Sequence, residues 1–104
     1  MLIVYQPDNA PVDHSKWNLV NKRWTANGEL ETYRDSTKNV HLSGDGQLYI
    51  VPTKENGQWY SGRLESKVSA KADNGHAMIF QAEIWVPNFT GSPAKFAGLW
   101  PAFW

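Results

Sequence analysis

The sequence predicts an all-β fold, an antiparallel β-sandwich. Three observations lead there: tight-turn sequences recur along the chain, the segments between them have the length of strands, and apolar and polar residues alternate with a period of two. The turns contain Asn27-Gly28, Ser43-Gly44-Asp45-Gly46, Glu55-Asn56-Gly57, Asp73-Asn74-Gly75 and Gly91-Ser92-Pro93, residue types that supply the positive φ angles of tight turns. No helix longer than two turns is expected.

The strands are predicted near residues 29–34, 39–43, 47–52, 59–69, 76–86 and 96–103. Alternation places Met78, Phe80 and Ile84 on one face of their segment. We expect these side chains to form a common core with Leu48 and Ile50.

The opposite strand faces mix charged, amide and tryptophan side chains. Trp59, Ser61 and Arg63 share one such face. A sheet with one buried side and one aromatic-polar side suits a sandwich whose concave surface binds a hydroxyl-rich ligand. The alternative is an ordinary solvated face.

Length and composition bound the possible functions. The chain has 104 residues, of which 41% are hydrophobic and 19% charged, so a single domain with its own core is expected. Ten basic side chains balance ten acidic ones, which gives no electrostatic reason to expect nucleic acid or an anionic membrane as partner. No apolar stretch approaches the length of a membrane span, and the absence of cysteine excludes disulfides and thiolate metal sites.

Titratable residues give no support for a cofactor. His14, His41 and His76 show no metal-ligand spacing, and no glycine-rich loop precedes a helix. Glu29 and Glu31 share one face of a predicted strand, roughly 6.5–7 Å apart along the chain. Retaining glycosidases need about 5–5.5 Å between their two carboxyl groups, so this pair is either catalytic or a supporting pair near a turn.

Tryptophan is the unusual component, with six in the chain. Trp100 and Trp104 are four residues apart, so on one strand face they would stand roughly 13 Å apart. Indole rings stack on the flat C–H faces of sugar rings, and both residues are therefore candidates for sugar contacts. Alternatively, both indoles belong to the core.

Four motifs in order give the sequence a resemblance to a known family. They are Asn27-Gly28-Glu29-Leu30-Glu31-Thr32-Tyr33, then Lys38-Asn39-Val40 with Ser43-Gly44-Asp45-Gly46-Gln47-Leu48, then Tyr60-Ser61-Gly62-Arg63-Leu64-Glu65-Ser66-Lys67, and finally Gly98-Leu99-Trp100-Pro101-Ala102-Phe103-Trp104. From about residue 15 to residue 104 the sequence resembles glycoside hydrolase family 16, the laminarinase and endo-β-1,3(4)-glucanase group, and most of all its fungal members.

The resemblance implies a concanavalin-like jelly-roll sandwich with a concave glucan cleft and a retaining mechanism. The family's catalytic glutamates lie in a Glu-x-Asp-x-x-Glu strand that follows Trp-Pro-Ala-Phe-Trp, and no residue of this sequence matches either of them. We therefore expect residues 1–104 to be the N-terminal portion of one such domain, with no catalytic residue. By the same resemblance, Asn27 and Arg63 reach glycosyl hydroxyls, Trp104 lines the sugar with Trp100, and Glu29 supports Asn27.

The partner implied by the resemblance is a β-glucan polysaccharide, together with the missing C-terminal half of the same domain. An extracellular or cell-wall location is implied as well, which the Asn88-Phe89-Thr90 glycosylation sequon favours weakly. Two alternatives to the glycosidase stay open: a non-catalytic β-glucan-binding sandwich module, and an inactive structural half-domain that needs a partner segment.

Overall fold

A computed structural model of the chain describes residues 10–23, 27–88, 90–92 and 98–103. The chain divides into two units, Met1–Ala70 and Lys71–Trp104. Within the described ranges every strand lies in the first unit, and no helix is found. The strands are β1 Trp17–Leu19, β2 Lys22–Arg23, β3 Thr32–Tyr33, β4 Val40–Leu42, β5 Leu48–Ile50, β6 Thr53–Glu55, β7 Gln58–Ser61 and β8 Leu64–Ser66.

The strands of the first unit form a four-stranded sheet and two strand pairs. The four-stranded sheet has the order β2-β3-β7-β6, and the pairs are β1 with β8 and β4 with β5. All neighbours are antiparallel except β3 and β7, which run parallel with Thr32 opposite Tyr60. The predicted all-β class is therefore confirmed, while the expectation of purely antiparallel pairing is wrong for that one pair.

The β6–β7 hairpin shows how the turn residues determine local structure. Asn56 has φ of 50° and Gly57 has φ of 78°, and Glu55 lies opposite Gln58. Two consecutive residues with positive φ form the two-residue hairpin turn whose twist matches that of the strands. The predicted turn at this position is thus confirmed.

Among the described residues, the apolar cluster of the first unit is small. It consists of Val12, Leu19 and Val40, with Leu42 and Leu64 packed against it. Three further apolar residues are buried, Ala10, Val20 and Tyr33. The predicted strand over 59–69 is interrupted after β7, because the backbone at Gly62 passes directly over Val40. A Cβ atom at Gly62 would lie 2.1 Å from a Val40 methyl carbon, so only glycine fits at this position.

Asn39 is fully buried and joins three parts of the first unit. Its Nδ2 donates to the Val51 carbonyl at 2.7 Å and to the Thr53 hydroxyl at 3.0 Å. Its Oδ1 accepts a hydrogen bond from Arg34 Nε, and its carbonyl accepts from the Val51 N–H at 2.8 Å. One amide side chain therefore connects the end of β3, the start of β4 and the segment between β5 and β6.

An ion pair extends this network. Arg34 Nη1 lies 2.8 Å from Glu55 Oε2, and the Arg34 guanidinium stands 4.1 Å from the centre of the Tyr60 ring. The hydrogen bond and charge of Arg34 hold the pKa of Glu55 below its usual range. Stability from this pair is therefore present above the ordinary pKa of a glutamate and is lost as the pH falls through the lowered value.

The predicted common core is wrong. Met78, Phe80 and Ile84 are 43%, 67% and 56% exposed, and Leu48 and Ile50 are 47% and 49% exposed. In the second unit, the described residues of 76–86 and 96–103 form no strand, so alternation there has no hydrogen-bonded ladder that would create a face. β5 is a strand whose one partner among the described residues is β4, and its apolar side chains are left partly exposed.

Replacing Asn39 should destabilise the first unit strongly. Asn39→Ala removes the hydrogen-bond partners of Arg34 Nε, the Val51 carbonyl and the Thr53 hydroxyl. We expect the free energy of unfolding, measured with urea, to fall by about 3 kcal/mol. The matched control is Asn74→Ala in an exposed turn, for which a change below about 0.5 kcal/mol is expected. A loss under about 1 kcal/mol for Asn39→Ala would contradict the role given to this side chain.

Candidate functional site

One face of the four-stranded sheet combines an aromatic ring with polar side chains. Trp59 and Ser61 lie two apart on β7 and so point the same way. Lys54 is the register partner of Trp59, and Tyr33 is the partner of Ser61. We call Lys54, Trp59, Ser61 and Tyr33 the polar face. It contains two members of the mixed face predicted from the sequence, Trp59 and Ser61.

Two carboxylates meet at the hydroxyl of Tyr33 on the polar face. Glu29, Glu31 and Tyr33 are spaced by two, which places them on the same side of an extended chain. The Tyr33 hydroxyl lies 3.0 Å from Glu29 Oε1 and 3.2 Å from Glu31 Oε1. Burial raises the pKa of Tyr33 to about 12, helped by the hydrogen bond to Glu29 and the charge of Glu31. The hydroxyl therefore stays protonated and can act as a donor throughout the physiological pH range.

This arrangement argues against a catalytic role for Glu29 and Glu31. A retaining mechanism needs one carboxylate free to attack and one carboxyl free to protonate the leaving oxygen. Both side chains are instead held by Tyr33, and Glu29 Oε2 is buried with no hydrogen-bond partner. The alternative of a supporting pair near a turn therefore fits the geometry better.

The candidate sugar-binding residues lie in different parts of the structure. Asn27 is exposed in the turn that Gly28 completes with φ of 68°. Arg63 follows Gly62, and its Nε lies 3.4 Å from Glu65 Oε1. Trp100 belongs to the second unit and is 63% exposed, and Trp104 lies outside the described residues. The grouping of these four side chains into one site stays a prediction.

A groove beside Arg63 was not predicted from the sequence. It has a volume of about 220 Å³ and is lined by the segment from Asn18 to Lys22 and by Glu65. Asn18 lies opposite Glu65 in the β1–β8 pair, and its Nδ2 is 3.3 Å from Glu65 Oε2. These residues are 47 positions apart in the chain, and without the strand register no sequence pattern could have brought them together.

Two of the three histidines have structural contacts. His14 Nε2 lies 2.7 Å from Asp35 Oδ2, and His41 bonds the Thr37 carbonyl while its ring stacks on Tyr49. In the part of the chain that the structure describes, no group of three or more potential ligands is placed to hold a metal ion. Among the same residues, none forms a helix that is long and apolar enough to cross a membrane.

Solved structures with a similar fold are glucanases and their relatives. An endo-1,3-β-glucanase of Streptomyces sioyaensis is 27% identical over 67% of this chain, with a TM-score of 0.59. A glycosyl hydrolase family 16 protein of Mycobacterium smegmatis is 25% identical over 66% of this chain, with a TM-score of 0.60. A pseudo β-1,3-glucanase of Mycobacterium tuberculosis is 26% identical over 62% of this chain, with a TM-score of 0.55.

The matched region corresponds to only 28%, 34% and 30% of the length of those three chains, in the same order. No family model matches the sequence, and no curated protein matches it. The fold defined by these neighbours is that of jelly-roll β-glucanases. The chain has the fold of part of a glycoside hydrolase family 16 domain, as the sequence resemblance implied.

The Tyr33 contacts should make stability depend on pH at alkaline values. Because the pKa of Tyr33 is raised to about 12 in the folded chain, the stability it contributes is complete below about pH 10, the ordinary tyrosine pKa. It is lost as the pH rises through about 12. In the unchanged chain, this group should lower the free energy of unfolding by roughly 2–3 kcal/mol between about pH 9 and 12.5. In Tyr33→Phe we expect that fall to be absent.

The matched control for this measurement is Tyr49→Phe, which removes an exposed hydroxyl from β5. The free energy of unfolding of Tyr49→Phe should depend on alkaline pH as it does in the unchanged chain. Identical pH profiles for Tyr33→Phe and Tyr49→Phe would contradict the assignment.

Proposed function

We propose that this chain supplies part of the glucan-binding wall of a β-glucanase domain. The observation that carries the proposal is the similarity over 62% to 67% of the chain to structures described as β-1,3-glucanases or family 16 glycosyl hydrolases. The full-length domain would hydrolyse O-glycosyl bonds of β-1,3 or β-1,3-1,4 glucans with retention of configuration. An extracellular or cell-wall location is part of the same proposal.

Two polar side chains of the first unit support glucan binding. Asn27 is exposed at a turn, where its amide can both donate to and accept from sugar hydroxyls. The Arg63 side chain is 28% exposed, and its guanidinium is oriented by the Glu65 carboxylate. A guanidinium has several N–H donors in fixed geometry, which suits recognition of hydroxyl and ring oxygens. Stacking on Trp100 and Trp104 would add the apolar contribution.

Binding by these residues would not by itself cause hydrolysis. Retention requires a nucleophilic carboxylate and a second carboxyl that protonates the leaving oxygen. By the family resemblance neither is among these 104 residues. Binding a substrate without stabilising the transition state does not accelerate its reaction, so the wall contributes orientation and affinity, and the glutamates of a Glu-x-Asp-x-x-Glu strand would supply the chemistry.

A second candidate function is a non-catalytic β-glucan-binding module. The similarity to a structure described as a pseudo β-1,3-glucanase favours it. The two candidates make the same prediction for sugar binding. They differ in whether a longer chain that includes a Glu-x-Asp-x-x-Glu strand releases reducing sugar from laminarin.

The purified chain should bind laminarin and should release no reducing sugar from it. Asn27→Ala and an Arg63→Met variant should each weaken binding by about tenfold, the loss expected for one or two hydrogen bonds to sugar hydroxyls. Isothermal titration calorimetry with a laminarin oligosaccharide measures the affinity, and a reducing-sugar assay measures turnover.

The controls repeat each change elsewhere in the chain. Asn74→Ala alters an exposed asparagine that also precedes a glycine with positive φ, and Arg23→Met removes an exposed arginine from β2. Both should bind like the unchanged chain. Absence of binding by the unchanged chain would overturn the proposal. Turnover that disappears in Glu29→Gln or Glu31→Gln would instead identify those carboxylates as catalytic.

A further inference from the structure

Tyr33 is held more firmly than the segment that it contacts. It ends β3, which pairs with β2 on one side and β7 on the other, and its side chain is buried with only 7% exposed. The next residue, Arg34, donates its N–H to the Ser61 carbonyl at 3.1 Å. The Tyr33 hydroxyl therefore has a fixed position that is set by the sheet.

The segment from Asn27 to Glu31 belongs to no strand. Gly28 has φ of 68°, and a residue with such a positive φ does not continue a β-strand. Its described contacts to the sheet are the Tyr33 hydroxyl bonds to Glu29 and Glu31, and a hydrogen bond from Gln58 Nε2 to the Leu30 carbonyl at 3.3 Å. The other Glu29 oxygen, Oε2, is buried without a partner, so the carboxylate of Glu29 depends on Tyr33.

A single hydroxyl proton serves both carboxylates. The two oxygens lie at 3.0 Å and 3.2 Å from the same phenol oxygen, so the proton is shared between two acceptors. Without it, two like charges would face each other beside a buried oxygen, and like charges in such a position repel. Removing the hydroxyl should therefore release the segment and not merely weaken one contact.

We infer that Tyr33 is a positioning residue for Asn27. Its hydroxyl fixes Glu29 and Glu31, and through the two-residue connection from Glu29 it determines where the Asn27 side chain stands. The inference rests on the proposed function insofar as Asn27 contacts the glucan. Tyr33 itself touches no sugar in this arrangement, because its ring is buried and its hydroxyl is used by the carboxylates.

The test separates order in the segment from affinity for the sugar. In the full 104-residue chain, labelled with ¹⁵N, the backbone order parameters of Gly28 and Glu29, measured by ¹⁵N relaxation, report the order of the segment. Titration with a laminarin oligosaccharide, well below the unfolding temperature, reports the affinity. For Tyr33→Phe we expect the order parameter of Gly28 to fall from about 0.85 to below about 0.6. Binding should be about tenfold weaker, since hydrogen bonds to charged groups are lost.

Three further variants make the result decisive. Tyr49→Phe removes an exposed tyrosine hydroxyl from β5 and should change neither measurement. Glu29→Ala removes the same hydrogen bond from the side of the segment and should reproduce the lower order parameter, which keeps the test valid where Tyr33→Phe fails to fold. Glu31→Gln keeps an acceptor for the hydroxyl and should retain the high order parameter.

The outcomes distinguish this inference from the proposed function. An order parameter of Gly28 that stays above about 0.8 in both Tyr33→Phe and Glu29→Ala would overturn the positioning role. Absence of oligosaccharide binding by the unchanged chain would overturn the proposed function, while the relaxation measurement would still decide whether Tyr33 orders the segment. A lower order parameter with unchanged affinity would show that Asn27 is not the residue being positioned, and would also overturn the inference.

Discussion

The first unit depends on one buried amide. Asn39 is fully enclosed, and its side-chain amide bonds two segments that are not adjacent in sequence, at Arg34 and at Val51 with Thr53. An amide can do this because it carries two donors and an acceptor with two lone pairs. In a low-dielectric interior, each of these bonds is strong and each lost partner is costly. The strand pairs thus take their relative positions from directional contacts, while the apolar cluster around Val40 remains small.

Local chemistry is the part of this fold that the sequence predicts well. The turn at Asn56-Gly57 follows from residues that tolerate positive φ, and β4, β5 and β7 fall within or close to predicted strands. The failures concern pairing. Nothing local distinguishes the alternating segment around Phe80, which forms no strand, from the segment around Trp59, which does. The parallel pairing of β3 with β7, and the short strands β1, β2 and β6, depend on distant partners and could not be read from alternation.

The same distinction between local pattern and distant pairing applies to the candidate site. Alternation correctly grouped Trp59 with Ser61 and placed Glu29 and Glu31 on one side of the chain, because period-two geometry is a local property. What the sequence left open was what the two carboxylates do. The answer depends on Tyr33, whose hydroxyl contacts both. The sequence shows that Tyr33 lies two residues after Glu31, but it does not show that the Tyr33 side chain is buried. The groove at Asn18 and Glu65 lies wholly outside sequence reasoning, since it arises from the β1–β8 register.

Asn39 and Tyr33 each hold neighbouring segments in place by hydrogen bonds, on opposite sides of the four-stranded sheet. Thr53 and Tyr60 are register partners and so face the same way, and Asn39 bonds Thr53 while Arg34 stacks on Tyr60. Tyr33 and Trp59 point to the other side. Each face thus has one polar group at a fixed position. The Asn39 amide connects the interior network, and the Tyr33 hydroxyl holds the segment that carries Asn27. Sugar hydroxyls are recognised by hydrogen bonds whose strength falls steeply with misalignment. A wall that binds them needs side chains held by directional contacts, and apolar packing alone supplies no such direction.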